Sequence, residues 1–418
     1  MRRLVAVGPI LVAAVSLILG YLHYRAGTPY SLSPDHYRAW AFPAFRYSDL
    51  IWLYLRDGLD RQPLPYVDYP LEYPPLTGVA SWLLSFAPNL PSYFGLTYAL
   101  LAVSALVTVW ALGKLPGANP WYFAAAPAIF FYTGHQWDLL AVGVTAVSLV
   151  AVARGRPRWG AFGLAVGVSL KLFPLAFLAA LCADHLRFRR WRLLAETIAI
   201  SAAVTLAANL PFALASPDGW GFFYRWNRDR LADSGLWVLW RDVPTEILTT
   251  ASLLAAVAGG LVVAGIAFWR GGSLLLPLGS SALLWWLLVN KTFTTHLMLW
   301  VLLAVAILRP PLWVWLGVVA VDVVGFQLGN YINLHNVPAF QFAPLWAKAV
   351  ENVYDPLQMI RSAVLLGCVA WGVRLIWRRR WPAPTERLTS SSAVPIRLPR
   401  PTVSLPTVRR GELGQIAM

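Results

Sequence analysis

Long runs of apolar residues, separated by short polar stretches, occupy most of the chain from residue 4 to residue 377. The candidate membrane segments are 4–22, 76–88, 93–113, 119–133, 139–153, 159–183, 193–215, 247–269, 273–290, 293–308, 311–326 and 356–377. Several are shorter than the roughly 20 residues that a spanning helix needs. Short or broken helices persist at membrane depth only when they pack inside protein or line a cavity. The pattern predicts an all-α polytopic membrane protein with about 9–12 membrane helices, some of them short or broken.

Arginine clusters indicate which ends of these segments face the cytoplasm, because cytoplasmic loops carry an excess of Lys and Arg. The clusters lie at 154–158, 187–192 and 378–380. A single helix over 159–183 would place the first two clusters on opposite sides of the membrane. Lys171 and Pro174 interrupt this segment, so we predict two half-length helices that meet at Lys171–Pro174 and return the chain to the cytoplasm. We expect a similar break within 119–133.

The first apolar run follows Arg2 and Arg3, an arrangement that a cleaved signal peptide also has. The run is long for a signal peptide and no clear small-x-small site follows it, so we interpret it as a retained span that runs from inside to outside. The polar loops 23–75, 216–244 and 327–355 would then lie outside. We predict a membrane domain over 1–377 and a basic, Pro- and Ser-rich cytoplasmic tail over 378–418 that is disordered.

The composition supports this interpretation and excludes a water-soluble protein. Hydrophobic residues make up 58% of the chain and charged residues 13%, about half the usual share in soluble domains. The net charge is +15, and the stretch from Arg374 onward holds nine Arg and two Glu. This distribution indicates membrane topology and anionic lipid, and we expect no nucleic-acid partner. The two cysteines lie in apolar runs and form no disulfide or zinc pattern.

Ionisable side chains inside apolar sequence are costly and therefore suggest function. The chain has only four lysines: Lys114, Lys171, Lys291 and Lys348. Lys171 and Lys291 are embedded in apolar sequence, where each could reach the interface or hold a phosphate as a point charge. His296 follows Lys291 and Asn290 in a segment with three threonines. This histidine is either a hydrogen-bonded core residue or part of a polar pocket.

Two acids in the first outside loop, Asp49 and Glu72, could serve as a general base for an acceptor hydroxyl, although most loop acids are merely solvated. Asp138 begins an apolar segment, where an N-cap and a substrate contact are compatible interpretations. Trp137 beside it could stack on a sugar or anchor the chain at the interface. The sequence contains no P-loop, nucleophile elbow or His-Glu-x-x-His motif.

The order of these motifs resembles a known family. Asp49 is followed by Leu64-Pro-Tyr-Val-Asp-Tyr-Pro-Leu-Glu72-Tyr-Pro-Pro-Leu-Thr-Gly78, Trp137-Asp138-Leu-Leu, Ser169-Leu-Lys171-Leu-Phe-Pro174, Asn227-Arg228-Asp-Arg230, Ser234-Gly-Leu-Trp237 and Asn290-Lys291-Thr-Phe-Thr-Thr-His296. Over residues 30–310 the chain looks like glycosyltransferase family 87, the polyprenyl-phosphate-mannose-dependent mannosyltransferases. The last motif departs from the commoner family form, in which Ser-Pro-Gln-Tyr replaces Thr-Thr-His-Leu.

The resemblance implies a C-type glycosyltransferase fold in the cell membrane, with an active site on the extracytoplasmic side. The donor would be a polyprenyl-phosphate sugar, most simply mannose, and the acceptor a hydroxyl of a glycolipid or glycan; no metal or other cofactor is expected. Asp49 matches the general base of an inverting transfer, with Glu72 as second choice. The donor phosphate would contact cations among Lys171, Lys291, His296, Arg228 and Arg230, with Asn290, Trp137 and Asp138 also in the substrate site. A transporter or flippase is the alternative, but it would predict inverted repeats, which the sequence does not display.

Overall fold

The structure is a computed structural model that describes residues 4–28, 33–232, 234–270, 275–335 and 344–378. Within these ranges the regular elements are helices: α1 Leu4–Tyr24, α2 Pro34–Ala41, α3 Asp49–Arg56, α4 Pro75–Leu84, α5 Leu90–Leu112, α6 Trp121–Ala124, α7 Ala128–Tyr132, α8 Asp138–Ala153, α9 Pro157–Leu170, α10 Leu175–Arg187, α11 Trp191–Ala215, α12 Pro217–Asp229, α13 Thr245–Arg270, α14 Leu275–Val289, α15 Met298–Leu308, α16 Leu312–His335 and α17 Pro344–Trp377. The predicted tail, beyond Arg378, lies outside the described residues.

Six of the described helices are long and apolar enough to cross a membrane: α1, α5, α11, α13, α16 and α17. Their burial differs, because half of the apolar window of α5 is buried but only 6% of that of α11 and 17% of that of α13. Exposed apolar surface of this extent requires lipid around it. The multi-pass, all-α architecture predicted from the sequence is confirmed.

The remaining apolar helices are short and form the interior. Every residue of α15 is buried, and this helix packs against α6, α8 and α14. The break predicted at Lys171–Pro174 is present: α9 ends at Leu170, Lys171 is extended (φ −154°, ψ 143°), and α10 begins at Leu175. The segment 119–133 is likewise divided, into α6 and α7. The break at Lys171–Pro174 packs against the protein interior, as polar backbone at membrane depth requires, whereas Ala125 in the break between α6 and α7 is exposed.

Two of the arginine clusters lie at the same end of the helices. Arg158 in the first turn of α9 contacts Glu196 of α11 at 2.8 Å, and Arg192 at the start of α11 contacts the same carboxylate at 3.1 Å. The pair α9–α10 therefore leaves this end and returns to it, as the distribution of charge predicted. The opposite end holds the Lys171 break.

The third polar stretch, 327–355, was predicted to be a loop, and for the described residues this is wrong. Helix α16 continues to His335, and α17 already begins at Pro344. Two asparagines of this polar stretch make hydrogen bonds within α16. Asn330 Nδ2 donates to the Phe326 carbonyl at 3.0 Å, and Asn333 Nδ2 donates to the Gly329 carbonyl at 2.8 Å. Polar side chains bonded one turn back do not end a helix.

Candidate active site

Asp49 is the first residue of α3, and the segment 134–136 holds it in place. Its backbone N–H donates to the His135 carbonyl at 3.0 Å, and the hydroxyl of Ser48 donates to the Gly134 carbonyl. The Asp49 carboxylate accepts hydrogen bonds from Gln136 Nε2 and from the Tyr47 hydroxyl. The side chain remains partly exposed. It is therefore a fixed carboxylate that a substrate can still reach.

A second carboxylate, that of Asp138, is fully buried at the start of α8. Its Oδ1 accepts from Trp300 Nε1 at 2.8 Å. Its Oδ2 lies 3.2 Å from Lys171 Nζ and 3.7 Å from His296 Nε2. The side chain makes no N-cap hydrogen bond, so the N-cap interpretation is wrong. Asp138 instead joins the break between α9 and α10 to the segment that begins α15.

Tyr73 connects the two carboxylates. Its hydroxyl donates to Gln136 Oε1, whose amide nitrogen donates to Asp49. On the other side, Lys171 Nζ lies 4.8 Å from the centre of the Tyr73 ring, a cation–π distance. We call the connected set the polar network; its members are Tyr47, Asp49, Tyr73, Gln136, Asp138, Lys171, His296 and Trp300. One continuous chain of contacts thus runs from an accessible carboxylate to a pair of buried basic groups.

Two further groups carry or can carry positive charge beside this network. The rings of His135 and His296 are 6.0 Å apart. Arg230, which follows α12, is close enough to interact electrostatically with His296. The structure therefore brings together Asp49, Asp138, Lys171, His296 and Arg230 from five separate stretches of the sequence.

Glu72, the other candidate base, is engaged by an arginine. Arg56 Nη1 and Nη2 donate to the two carboxylate oxygens of Glu72 at 2.7 and 2.9 Å, and the same guanidinium bonds to Asp57. Burial opposes the charge of Arg56, but the hydrogen bonds to Glu72 and Asp57 outweigh it and raise the Arg56 pKa above its usual value. Burial likewise raises the pKa of Asp57. The geometry makes Glu72 part of a charged clamp on the loop after α3.

The other candidate cations hold α12 against α13. Lys291 Nζ donates to the Arg228 carbonyl and to Thr249 Oγ1, and burial lowers the Lys291 pKa. The Arg228 side chain is exposed and pairs with Asp229. Asn290 Nδ2 bonds locally to the Thr292 carbonyl at 2.7 Å. Among the described residues, no hydrogen bond or ion pair joins these three to the polar network.

Trp137 lies in the core rather than on an accessible surface, with only 2% of its area exposed. Stacking on a sugar needs an open ring face, which this environment does not provide. Interface anchoring does not describe it either, because the ring is enclosed by protein.

Comparison with known proteins decides the family. The sequence profile described as glycosyltransferase family 87 matches residues 71–310, more than half of the chain. The chain belongs to glycosyltransferase family 87. No significant match was found among curated proteins or among solved structures. The resemblance based on ordered motifs is thereby confirmed, and the protein is a membrane glycosyltransferase.

Most of the polar network of this family 87 glycosyltransferase lies inside the matched residues; Tyr47 and Asp49 precede them. Sequence reasoning assigned no role to Tyr73, Gln136 or Trp300. Gln136 lies in the polar stretch before α8, and Tyr73 adjoins Glu72. Their positions in the sequence were therefore only a weak indication that either residue belongs to the site. Across the described residues, no cluster of three or more His, Cys, Asp or Glu side chains could hold a metal ion.

Proposed function

We propose that this glycosyltransferase transfers a sugar, most simply mannose, from a polyprenyl-phosphate donor to a hydroxyl of a glycolipid or glycan acceptor. Asp49 acts as the general base, and the anomeric configuration is inverted. One observation carries the proposal: the accessible Asp49 carboxylate is connected through Gln136 and Tyr73 to the basic groups Lys171 and His296. Inverting transfer from a lipid phosphate needs one base and positive charge near the leaving group.

The chemistry balances in a single step. The acceptor oxygen forms a bond to the anomeric carbon while its proton passes to Asp49. The bond between that carbon and the donor phosphate oxygen breaks, and its electron pair remains on the phosphate. Lys171, with Arg230 and His296 beside it, offsets the developing negative charge on that phosphate. Asp138 holds Lys171 and His296 in place.

The distribution of charge along the helices supports an extracytoplasmic active site. Asp138 begins α8, whose 16 residues span about 24 Å before Arg154. The basic residues of the far end lie on helix ends and turns: Lys114, Arg154, Arg156, Arg158, Arg187, Arg189, Arg190, Arg192, Arg309 and Arg378. An excess of positive charge marks the cytoplasmic face of a membrane protein. The polar network would then face the outside of the cell membrane, where a polyprenyl-phosphate sugar and its acceptor would meet.

In this proposal the remaining candidates act by positioning. The clamp of Glu72 on Arg56 fixes the end of α3, the helix that begins with Asp49. Lys291, Asn290 and the Arg228 carbonyl fix the end of α12, from which Arg230 reaches the phosphate. Trp137 packs the start of α8.

The test is sugar transfer by the purified full-length enzyme, with polyprenyl-phosphate mannose as donor and an extract of membrane glycolipids as acceptor. Asp49→Asn should lower the rate at least about 1,000-fold, because the base and its charge are removed while the size is kept. Asp60→Asn, an exposed acid in the same loop, is the matched control and should transfer at the normal rate. Transfer by Asp49→Asn within tenfold of the control would refute Asp49 as the base. Absence of transfer by the unmodified enzyme, with lipid movement across vesicles instead, would favour the transporter alternative.

A further inference from the structure

A notch opens near the arginine-rich end of the helices, on the side away from the polar network. Its volume is about 220 Å³, and it lies between α5, α8 and the first turn of α9. Trp110 and Trp159 contribute its aromatic walls, and Val147 belongs to the apolar surface that α8 contributes. Arg154 and Arg156 complete the lining from the turn between α8 and α9. Apolar walls thus meet two cations in one small cavity.

The turn that carries these arginines is fixed by the backbone. The Gly155 N–H donates to the Val152 carbonyl at 2.9 Å, and the Arg156 N–H donates to the Ala151 carbonyl at 2.9 Å. This is the Schellman pattern of helix termination, and Gly155 takes the required positive φ of 75°. The Arg154 guanidinium lies 5.9 Å from the centre of the Trp110 ring. The turn therefore fixes the backbone of both arginines beside the notch, and the ring contact holds the Arg154 guanidinium there.

Neither arginine has a carboxylate partner within the described part of the chain. Their neighbour Arg158 does have one, since it shares Glu196 with Arg192. Arg154 and Arg156 are both exposed. Two neighbouring guanidinium groups without a carboxylate partner favour an anionic occupant, and their planar donors match the oxygens of a phosphate.

The shape of the notch favours an amphiphilic occupant over water alone. Its apolar walls offer water few hydrogen-bond partners. Val147 lies six residues before the end of α8, so the notch reaches about 9 Å towards the membrane interior. Trp110, Val147 and Phe162 are between 40% and 45% exposed and present a lipid-facing apolar surface there.

We propose that this notch binds one anionic phospholipid of the surrounding bilayer. The headgroup phosphate contacts Arg154 and Arg156, and the upper part of one acyl chain packs against Trp110 and Val147. The site is separate from the polar network, and the proposal does not depend on the identity of the sugar, the donor or the acceptor.

The experiment measures binding of phosphatidylglycerol and phosphatidylcholine, offered at equal concentration, to the full-length protein in detergent by native mass spectrometry. The unmodified protein should retain one phosphatidylglycerol in preference to phosphatidylcholine. An arginine at a membrane surface strengthens binding of anionic lipid about fivefold, so the double variant Arg154→Gln/Arg156→Gln should lose about 25-fold in this preference. Trp110→Ala should weaken binding of both lipids, because it removes apolar contact and leaves both charges.

The matched control is Arg189→Gln/Arg190→Gln, which removes the same charge from the same end but does not line the notch. It should change the preference by less than about twofold, since charges that do not contact the headgroup are screened by salt. An equal loss in the control would overturn the proposal and leave only general surface attraction. Displacement of the phospholipid by millimolar inorganic phosphate would also overturn it, because a free anion would then satisfy the site without acyl contact.

Discussion

The ion pair of Asp138 and Lys171 gives the sharpest prediction for stability. It is the most buried of the described pairs between a carboxylate and a lysine or arginine, with 0% of the Asp138 side chain and 14% of the Lys171 side chain exposed. The carboxylate also accepts from Trp300, and the ammonium also faces the Tyr73 ring. Each charge thus has one oppositely charged partner at close range and little contact with water.

Removing one partner of a buried pair costs about 3–5 kcal/mol, because the other charge stays buried without compensation. Asp138→Asn keeps the shape and the acceptor for Trp300. The Lys171 ammonium then keeps its partial contact with water and its contact with the Tyr73 ring. We therefore expect the free energy of unfolding to fall by about 3 kcal/mol. Lys171→Met leaves a carboxylate with no exposure, and we expect a loss nearer 5 kcal/mol. The double variant removes both charges and should lose less than about 2 kcal/mol.

The assay is reversible unfolding of the full-length protein in mixed dodecyl maltoside and dodecyl sulfate micelles, followed by tryptophan fluorescence. The quantity of interest is the coupling free energy of the double-mutant cycle, expected at about 6 kcal/mol. A parallel cycle on Arg241 and Asp355, a partly exposed pair, should give less than about 1 kcal/mol. Losses for the Asp138 and Lys171 variants that simply add, within about 0.5 kcal/mol, would show that the two charges are not coupled and refute the reasoning.

Three further predictions concern single residues. Burial lowers the pKa of Lys291, so between this lowered value and 10.5 the unfolded chain binds more protons and stability should rise with pH. Melting curves measured from pH 8 to 10.5 should show this rise in stability for the unmodified protein but not for Lys291→Met. The same pH dependence of stability in both proteins would contradict the prediction. Gly219→Ala should destabilise the protein by more than about 3 kcal/mol, because the added Cβ would lie 1.7 Å from the Tyr66 carbonyl oxygen. Gly260→Ala adds its Cβ in open space and should stabilise the protein by up to about 1 kcal/mol. Thermal unfolding measures both glycine variants, and equal shifts would contradict the close approach. Glu72→Gln should lower sugar transfer about tenfold by weakening its clamp on the loop; a loss as large as that of Asp49→Asn would indicate a direct chemical role instead.

Local signals in the sequence were sufficient for the helices. Apolar runs marked nearly every long helix, and a lysine beside a proline marked the break between α9 and α10. The polar end of α16 was misassigned, because Asn330 and Asn333 look like loop residues until their bonds to the preceding turn are known. Side-chain bonds within a helix leave no trace in a hydropathy pattern.

Contacts between distant segments were not predictable in the same way. Lys171 carried a signal as an ionisable group inside apolar sequence, and Asp49 was marked by its match to the family. The bond from Gln136 to Asp49 joins residues 87 positions apart, and the bond from Trp300 to Asp138 joins residues 162 positions apart. Neither residue type is rare near a membrane, so nothing local distinguished them. Glu72 looked like a candidate base for the same reason: its bond to Arg56 becomes visible only when the loop is folded.

The paired short helices α9 and α10 have a consequence for how the enzyme is made. They are about 21 and 20 Å long, shorter than the roughly 30 Å hydrocarbon layer, and polar backbone at their junction cannot face lipid. Neither helix can therefore be released into the bilayer alone as a finished span. The pair must instead pack against α8, which precedes it in the chain, and α11, which follows it. Lys171 lies at the junction of the pair, so its contact with Asp138 can form only when the pair has packed against α8.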